Sequence, residues 1–162
     1  MRRCTAWIVV SLLASHGLSI ASNSKAPGPC LNYQQKPNTM VNGRSRVPEE
    51  VRLSGDLIER TYWGPPNWGE HPESDRLEDA WIIVLDKPIC VLADPRFIDN
   101  AAEHNVIVVQ IIVDTSGPND DLFRRVSTLV GHHVTVTGAL DHAITGHNRT
   151  PVMMEVASIA AT

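Results

Sequence analysis

The chain has 162 residues, 43% of them hydrophobic and 20% charged, with a formal net charge of −4. That length fits one domain with one core. The composition excludes collagen, low-complexity disorder and a disulfide-dense miniprotein.

Residues 1–21 read as a signal peptide. Arg2 and Arg3 precede a short apolar run from Ala6 to Ala14, and Ser19-Ile20-Ala21 fits a small-residue cleavage pattern. The run is too short to span a bilayer, and no later apolar run approaches the length a transmembrane helix needs. The expected location is therefore periplasmic or secreted. Removing the leader takes two arginines and no acid, which moves the net charge from −4 to −6. A nucleic-acid surface needs an excess of Lys and Arg, and none is visible, so nucleic acid is excluded as the expected partner. Cys4 leaves with the leader. Cys30 and Cys90 remain, and in an exported protein two cysteines most simply form one disulfide.

Residues 22–47, rich in Ser, Asn, Pro, Gly, Lys and Gln, read as an extended N-terminal arm. The domain proper is expected over 48–162. Its first strand lies at 51–60, with Val51, Leu53, Gly55 and Leu57 on one face and Arg52, Ser54, Asp56 and Glu59 on the wet side. A long loop follows over 62–79, broken by Gly64-Pro65-Pro66-Asn67 and Gly69. The second strand covers 80–92, with a bulge or edge required at Pro88, which cannot donate to a ladder. The third covers 105–113 and is dense in β-branched residues.

The period then changes. Leu122, Phe123, Val126, Leu129 and Val130 form one helical stripe over about 119–130. Asn119, Asp120 and Asp121 suit its start, and Gly131 its C′ position. Strands at 133–140, with Gly138 marking a bend, and at 152–159 complete the order β-β-β-α-β-β. Five strands with a helix between the third and fourth is the element order of an OB-fold-like Greek-key barrel, mainly β. Closure also removes the edges that such apolar strands would otherwise expose.

Five stretches carry a resemblance. They are Cys30-Leu31-Asn32-Tyr33, Gly64-Pro65-Pro66-Asn67, Leu85 to Val91, Val134-Thr135-Val136-Thr137-Gly138, and Thr145 to Val152. Together they resemble a family of small secreted bacterial proteins known only as a domain of unknown function. The resemblance spans roughly residues 30–158. It implies an exported bacterial protein of one domain, and it implies no activity. The family's last motif carries a denser histidine cluster, whereas here Asn148 and Arg149 follow His147.

Three groups of residues carry candidate chemistry. Tyr62, Trp63 and Trp68 concentrate three of the chain's eight aromatic residues around a turn that holds Asn67. Flat rings there suit sugar rings or peptide side chains. Alternatively, Tyr62 and Trp63 end the first strand in the core and Trp68 covers a barrel mouth. His132, His133, His142 and His147, with Asp141 nearby, offer imidazoles to a metal. Their spacing matches no metal motif, and His142 and His147 serve equally as a polar pair orienting the last loop. Glu70, Glu73, Asp75, Glu78 and Asp79 could supply paired carboxylates for a hydrolase, or form a solvated acidic rim beside Arg76. No nucleophile elbow or catalytic-cysteine signature occurs. Asn148-Arg149-Thr150 also matches a glycosylation sequon.

The expected function is an exported non-enzymatic binding or accessory domain without a cofactor. Its partner would be an envelope glycan, peptide or protein. The ligand surface is expected at Tyr62, Trp63, Asn67, Trp68, His142, His147 and Arg149. The alternatives are a metal-binding protein using His142 and His147, and a small hydrolase using the loop carboxylates.

Overall fold

The computed structural model describes residues 30–33, 50–93, 101–114 and 120–162. The signal segment, most of the arm and the expected cap Asn119 lie outside the described residues. The elements in chain order are β1 (Leu31–Asn32), β2 (Val51–Trp63), β3 (Leu77–Leu92), β4 (Glu103–Ile112), α1 (Asp120–Thr128), β5 (His133–His142) and β6 (Val152–Ala161).

β2 to β6 close into a barrel. β2 pairs antiparallel with β3 and with β5, β3 with β4, and β5 with β6. The parallel pair β4–β6 closes the ring. The helix falls between the third and fourth barrel strands, as the sequence predicts, and the five-stranded barrel has the OB-type order. β1 lies outside the ring. It pairs parallel with the end of β3, Leu31 opposite Val91 and Asn32 opposite Leu92. The Cys30–Cys90 disulfide ties it there across 60 residues. In the chain-entropy model such a crosslink contributes about 4 kcal/mol.

Alternation fills the core. Leu57, Ile83, Val109, Val136, Leu140 and Met154 are fully buried on the inward face, each contributing roughly 1.5–3 kcal/mol of apolar burial. Gly55 pairs with Leu85 on one side and Val134 on the other, where β2 leaves one half of the barrel for the other. A Cβ there would stand 2.0 Å from the Val84 carbonyl oxygen, so only glycine permits this approach. The expected irregularities appear: the β3–β4 register shifts between Val84 and Ile89, around Pro88, and the β5–β6 register shifts at Gly138.

Several expectations need correction. β2 and β3 both run into the stretch read as a loop, so the connection is only 64–76. Tyr62 and Trp63 are paired strand residues, opposite Glu78 and Leu77. Cross-strand pairing sustains an extended conformation that local alternation did not signal. Glu59 shares the face of Leu57, because side chains two apart point the same way, and stays exposed because the hairpin there has passed the end of the barrel.

The helix stripe is narrower than expected. Val126 is fully buried, and Leu122, Leu129 and Val130 pack partly against the core. Phe123 is 44% exposed and rests on Trp81, ring centroids 4.9 Å apart. A nine-residue helix meets the barrel over a small contact, and Phe123 falls at its rim. The helix ends at Thr128, ahead of the expected C′ glycine; Gly131, in the turn that follows, takes φ +84° and donates its N–H to the Leu57 carbonyl.

Candidate functional site

The β2–β3 hairpin outruns the barrel. β5 pairs with β2 only as far as Asp56, and β4 pairs with β3 only from Trp81 onward. Beyond those points the hairpin stands with two faces. Glu59, Thr61, Trp63, Leu77, Asp79 and Trp81 continue the inward face, whereas Tyr62 and Glu78 lie on the other.

The 143–151 loop docks onto the Tyr62–Glu78 face. Asn148 Oδ1 accepts from the Ile144 and Thr145 N–H groups and from the Thr145 hydroxyl, which folds the loop into a tight turn. Gln110, buried on β4, accepts the Arg149 N–H and donates from Nε2 to the His147 carbonyl. Thr150, also buried, accepts the Gln110 N–H and donates to the Val152 carbonyl. The Asn148-Arg149-Thr150 sequon is therefore built into the loop's own hydrogen bonding.

Arg149 is the centre of this clasp. Its guanidinium lies 5.1 Å from the Tyr62 ring centroid and 5.3 Å from that of Trp68. Its Nη2 donates to Glu78 Oε2 at 2.6 Å, with only 10% of the arginine side chain exposed. His147 Nδ1 is 2.9 Å from the same oxygen, and the His147 ring meets Trp68 edge-on. Gly146 admits Trp68, since a Cβ there would lie 2.7 Å from the indole. Four of the expected residues, Tyr62, Trp68, His147 and Arg149, thus converge, with Glu78 as their acidic partner.

The others go elsewhere. Trp63 sits on the opposite face, 41% exposed, with Gly69 against its ring. Asn67 and Gly69 donate backbone N–H groups to Asp75, and Asn67 Nδ2 adds another. Desolvation alone would raise the Asp75 carboxyl; these hydrogen bonds outweigh it and hold the group below the usual carboxylate range. His142 stands edge-on to Tyr33, away from the clasp. The Tyr33 phenol is raised above its ordinary value by burial, reinforced by Glu103 and Asp141. His133 bonds to Asp86 and Thr162, and His132 Nδ1 lies near the Val130 carbonyl. His142 and His147 accordingly have different surroundings. Among the described residues no group of three or more His, Cys, Asp or Glu side chains is placed to hold a metal ion. Asp75, Glu78 and Asp79 each accept a structural hydrogen bond, Asp79 from the Thr61 hydroxyl at 2.6 Å while remaining exposed.

Beside the clasp runs an open groove of about 510 Å³. Glu59, Asp79, Trp81 and Phe123 line one wall, and Gln110, His147 and Asn148 the other. Trp81 Nε1 donates to Glu59 Oε2 at 3.0 Å, which fixes the indole against Phe123. Glu59, Trp81, Gln110 and Phe123 were not singled out as site residues from sequence. Gln110 carried a signal, as the one polar residue inside the apolar run 106–113.

The barrel and its two joined loops define an OB-type β-barrel protein. Residues 108–160 match the model of a family described as a domain of unknown function (DUF4431). The matched segment holds Gln110, the helix and the whole 143–151 loop. The resemblance to a family of unknown function is borne out over that segment. No curated protein and no solved structure matches the chain.

Proposed function

We propose that this chain is an exported, non-enzymatic binding module of the cell envelope, and that its ligand lies in the groove between the Trp81–Phe123 wall and the 143–151 loop. The observation that carries this reading is the groove itself: about 510 Å³, open to solvent, with aromatic rings and carboxylates on one wall. Binding sites combine such apolar surface with a few placed polar groups. The clasp gives the groove a rigid rim, because Arg149 and Gln110 fix the loop that carries His147 and Asn148. Export is supported by the basic-then-apolar leader and by the disulfide, which persists in oxidising compartments. A non-enzymatic role is supported by the carboxylates, since Glu59, Asp75, Glu78 and Asp79 each accept a structural hydrogen bond.

The test is calorimetric titration of the purified protein with defined envelope oligosaccharides and short peptides, repeated with Phe123→Ala. One ligand should bind, and the variant should weaken it while its circular dichroism stays unchanged. Equal binding by the variant would remove the groove as the site. Export is checked separately, by the N-terminal residue of the protein recovered from the periplasm or medium.

A further inference from the structure

The groove runs along a strand edge. Its lining comes from both faces of β3 and β4, Asp79 and Trp81 from one and Ala80 and Gln110 from the other. A depression on one face of a sheet would show alternate residues only. Leu77–Ala80 pair with β2 on one side, and pairing with β4 begins only at Trp81. Among the described residues no strand pairs with the other side of Leu77–Ala80, and Ile112 and Val113, which continue β4 past its last pair with β3, line the groove there. Alternate residues of that edge direct their N–H and C=O groups away from β2, and Asp79 and Ala80 of it line the groove. Folded proteins usually blunt or cover such an edge.

We infer that a basic peptide in extended conformation binds here by adding a strand to β3 along Leu77–Ala80. The inference rests on the binding-module reading and names its ligand class. Strand addition uses main-chain hydrogen bonds for affinity and alternate side chains for selectivity. On one face those side chains meet Glu59, Asp79 and the rings of Trp81 and Phe123. Among the described residues, Glu59 and Asp79 are the only Asp, Glu, Lys or Arg side chains lining the groove, and both are acidic. Carboxylates beside aromatic faces suit lysine or arginine, by charge and by cation–π attraction. Trp63 and Leu77, both exposed, extend the same face beyond Asp79. They lengthen the apolar floor for the stems of such side chains.

The test uses a capped peptide alternating valine and lysine. Its controls carry N-methyl groups on alternate peptide nitrogens, or glutamate in place of lysine. An N-acetylglucosamine tetrasaccharide probes the glycan alternative. The basic peptide should bind and slow hydrogen exchange at alternate amides of Leu77–Ala80. N-methylation in the pairing register should abolish binding. Glu59→Gln and Asp79→Asn each keep their hydrogen-bond acceptor, and each should weaken binding about threefold, as exposed charge pairs do. An N-methylated or glutamate peptide binding as tightly as the parent would overturn the inference. If only the tetrasaccharide binds, and Phe123→Ala weakens it, the peptide assignment falls while the binding module stands. If no probe binds, both fall for these ligand classes.

Discussion

Arg149 and Glu78 are 71 residues apart in the chain and meet at 2.6 Å, joining the 143–151 loop to the β2–β3 hairpin. Tyr62 and Trp68 face the guanidinium, so the ion pair is largely shielded from water. Removing the cation leaves Glu78 partly buried without its main partner. Arg149→Ala should cost about 2–4 kcal/mol in urea denaturation, below or within the range for breaking a buried pair because Glu78 keeps some exposure. Arg149→Lys should recover only part of that loss, since an ammonium does not reproduce the planar stack. A change within about 0.5 kcal/mol for Arg149→Ala would show that the clasp contributes nothing.

Gly146 and Trp68 give a second check. The alanine methyl of Gly146→Ala must displace the indole. The expected cost is about 1–3 kcal/mol, typical of overpacking, together with a red shift of tryptophan emission. Gly131→Ala is the control. Its φ is positive and nothing lies near its Cβ position, so it should lose stability without moving the emission.

Phe123 and Val126 should rank in reverse order of size. Val126 is fully buried, so Val126→Ala should cost about 2–3 kcal/mol. Phe123 is half exposed and packs mainly on Trp81, so Phe123→Ala should cost about 1 kcal/mol. Denaturation midpoints of the two variants decide it. A larger loss at Phe123 would contradict its rim position.

His133 should make stability depend on pH. Its hydrogen bond to Asp86, more than the opposing desolvation, raises its pKa above the ordinary value, and the charges of Asp86 and Asp56 add to this. A raised folded pKa stabilises fully below the unfolded value of about 6.5 and is lost as pH climbs through the folded value. The wild type should therefore lose more stability than Asp86→Asn between about pH 5.5 and about pH 8. Equal losses in the two proteins would dismiss the coupling. Proton NMR of the His133 ring should show the raised titration directly.

The barrel was legible in the sequence because its causes are local and periodic. Val51, Leu53 and Leu57 alternate inward, the stripe through Leu122 and Val126 has the helical period, and Gly131 takes the positive φ of the turn that leads from the helix to β5. Element order then leaves few ways to bury those faces. The disulfide was legible because, once the leader is set aside, only two cysteines remain. The site was legible only in part. Tyr62, Trp68, His147 and Arg149 announced themselves by residue type, yet nothing local said that they would pack on one another through Glu78. Trp81 and Glu59 looked like ordinary strand residues. They line the groove because β4 stops pairing at Trp81 while the hairpin continues. Periodicity tells which face of a strand is apolar, but only tertiary structure decides where its neighbour ends, and that ending leaves the edge of β3 beside an acidic, aromatic wall.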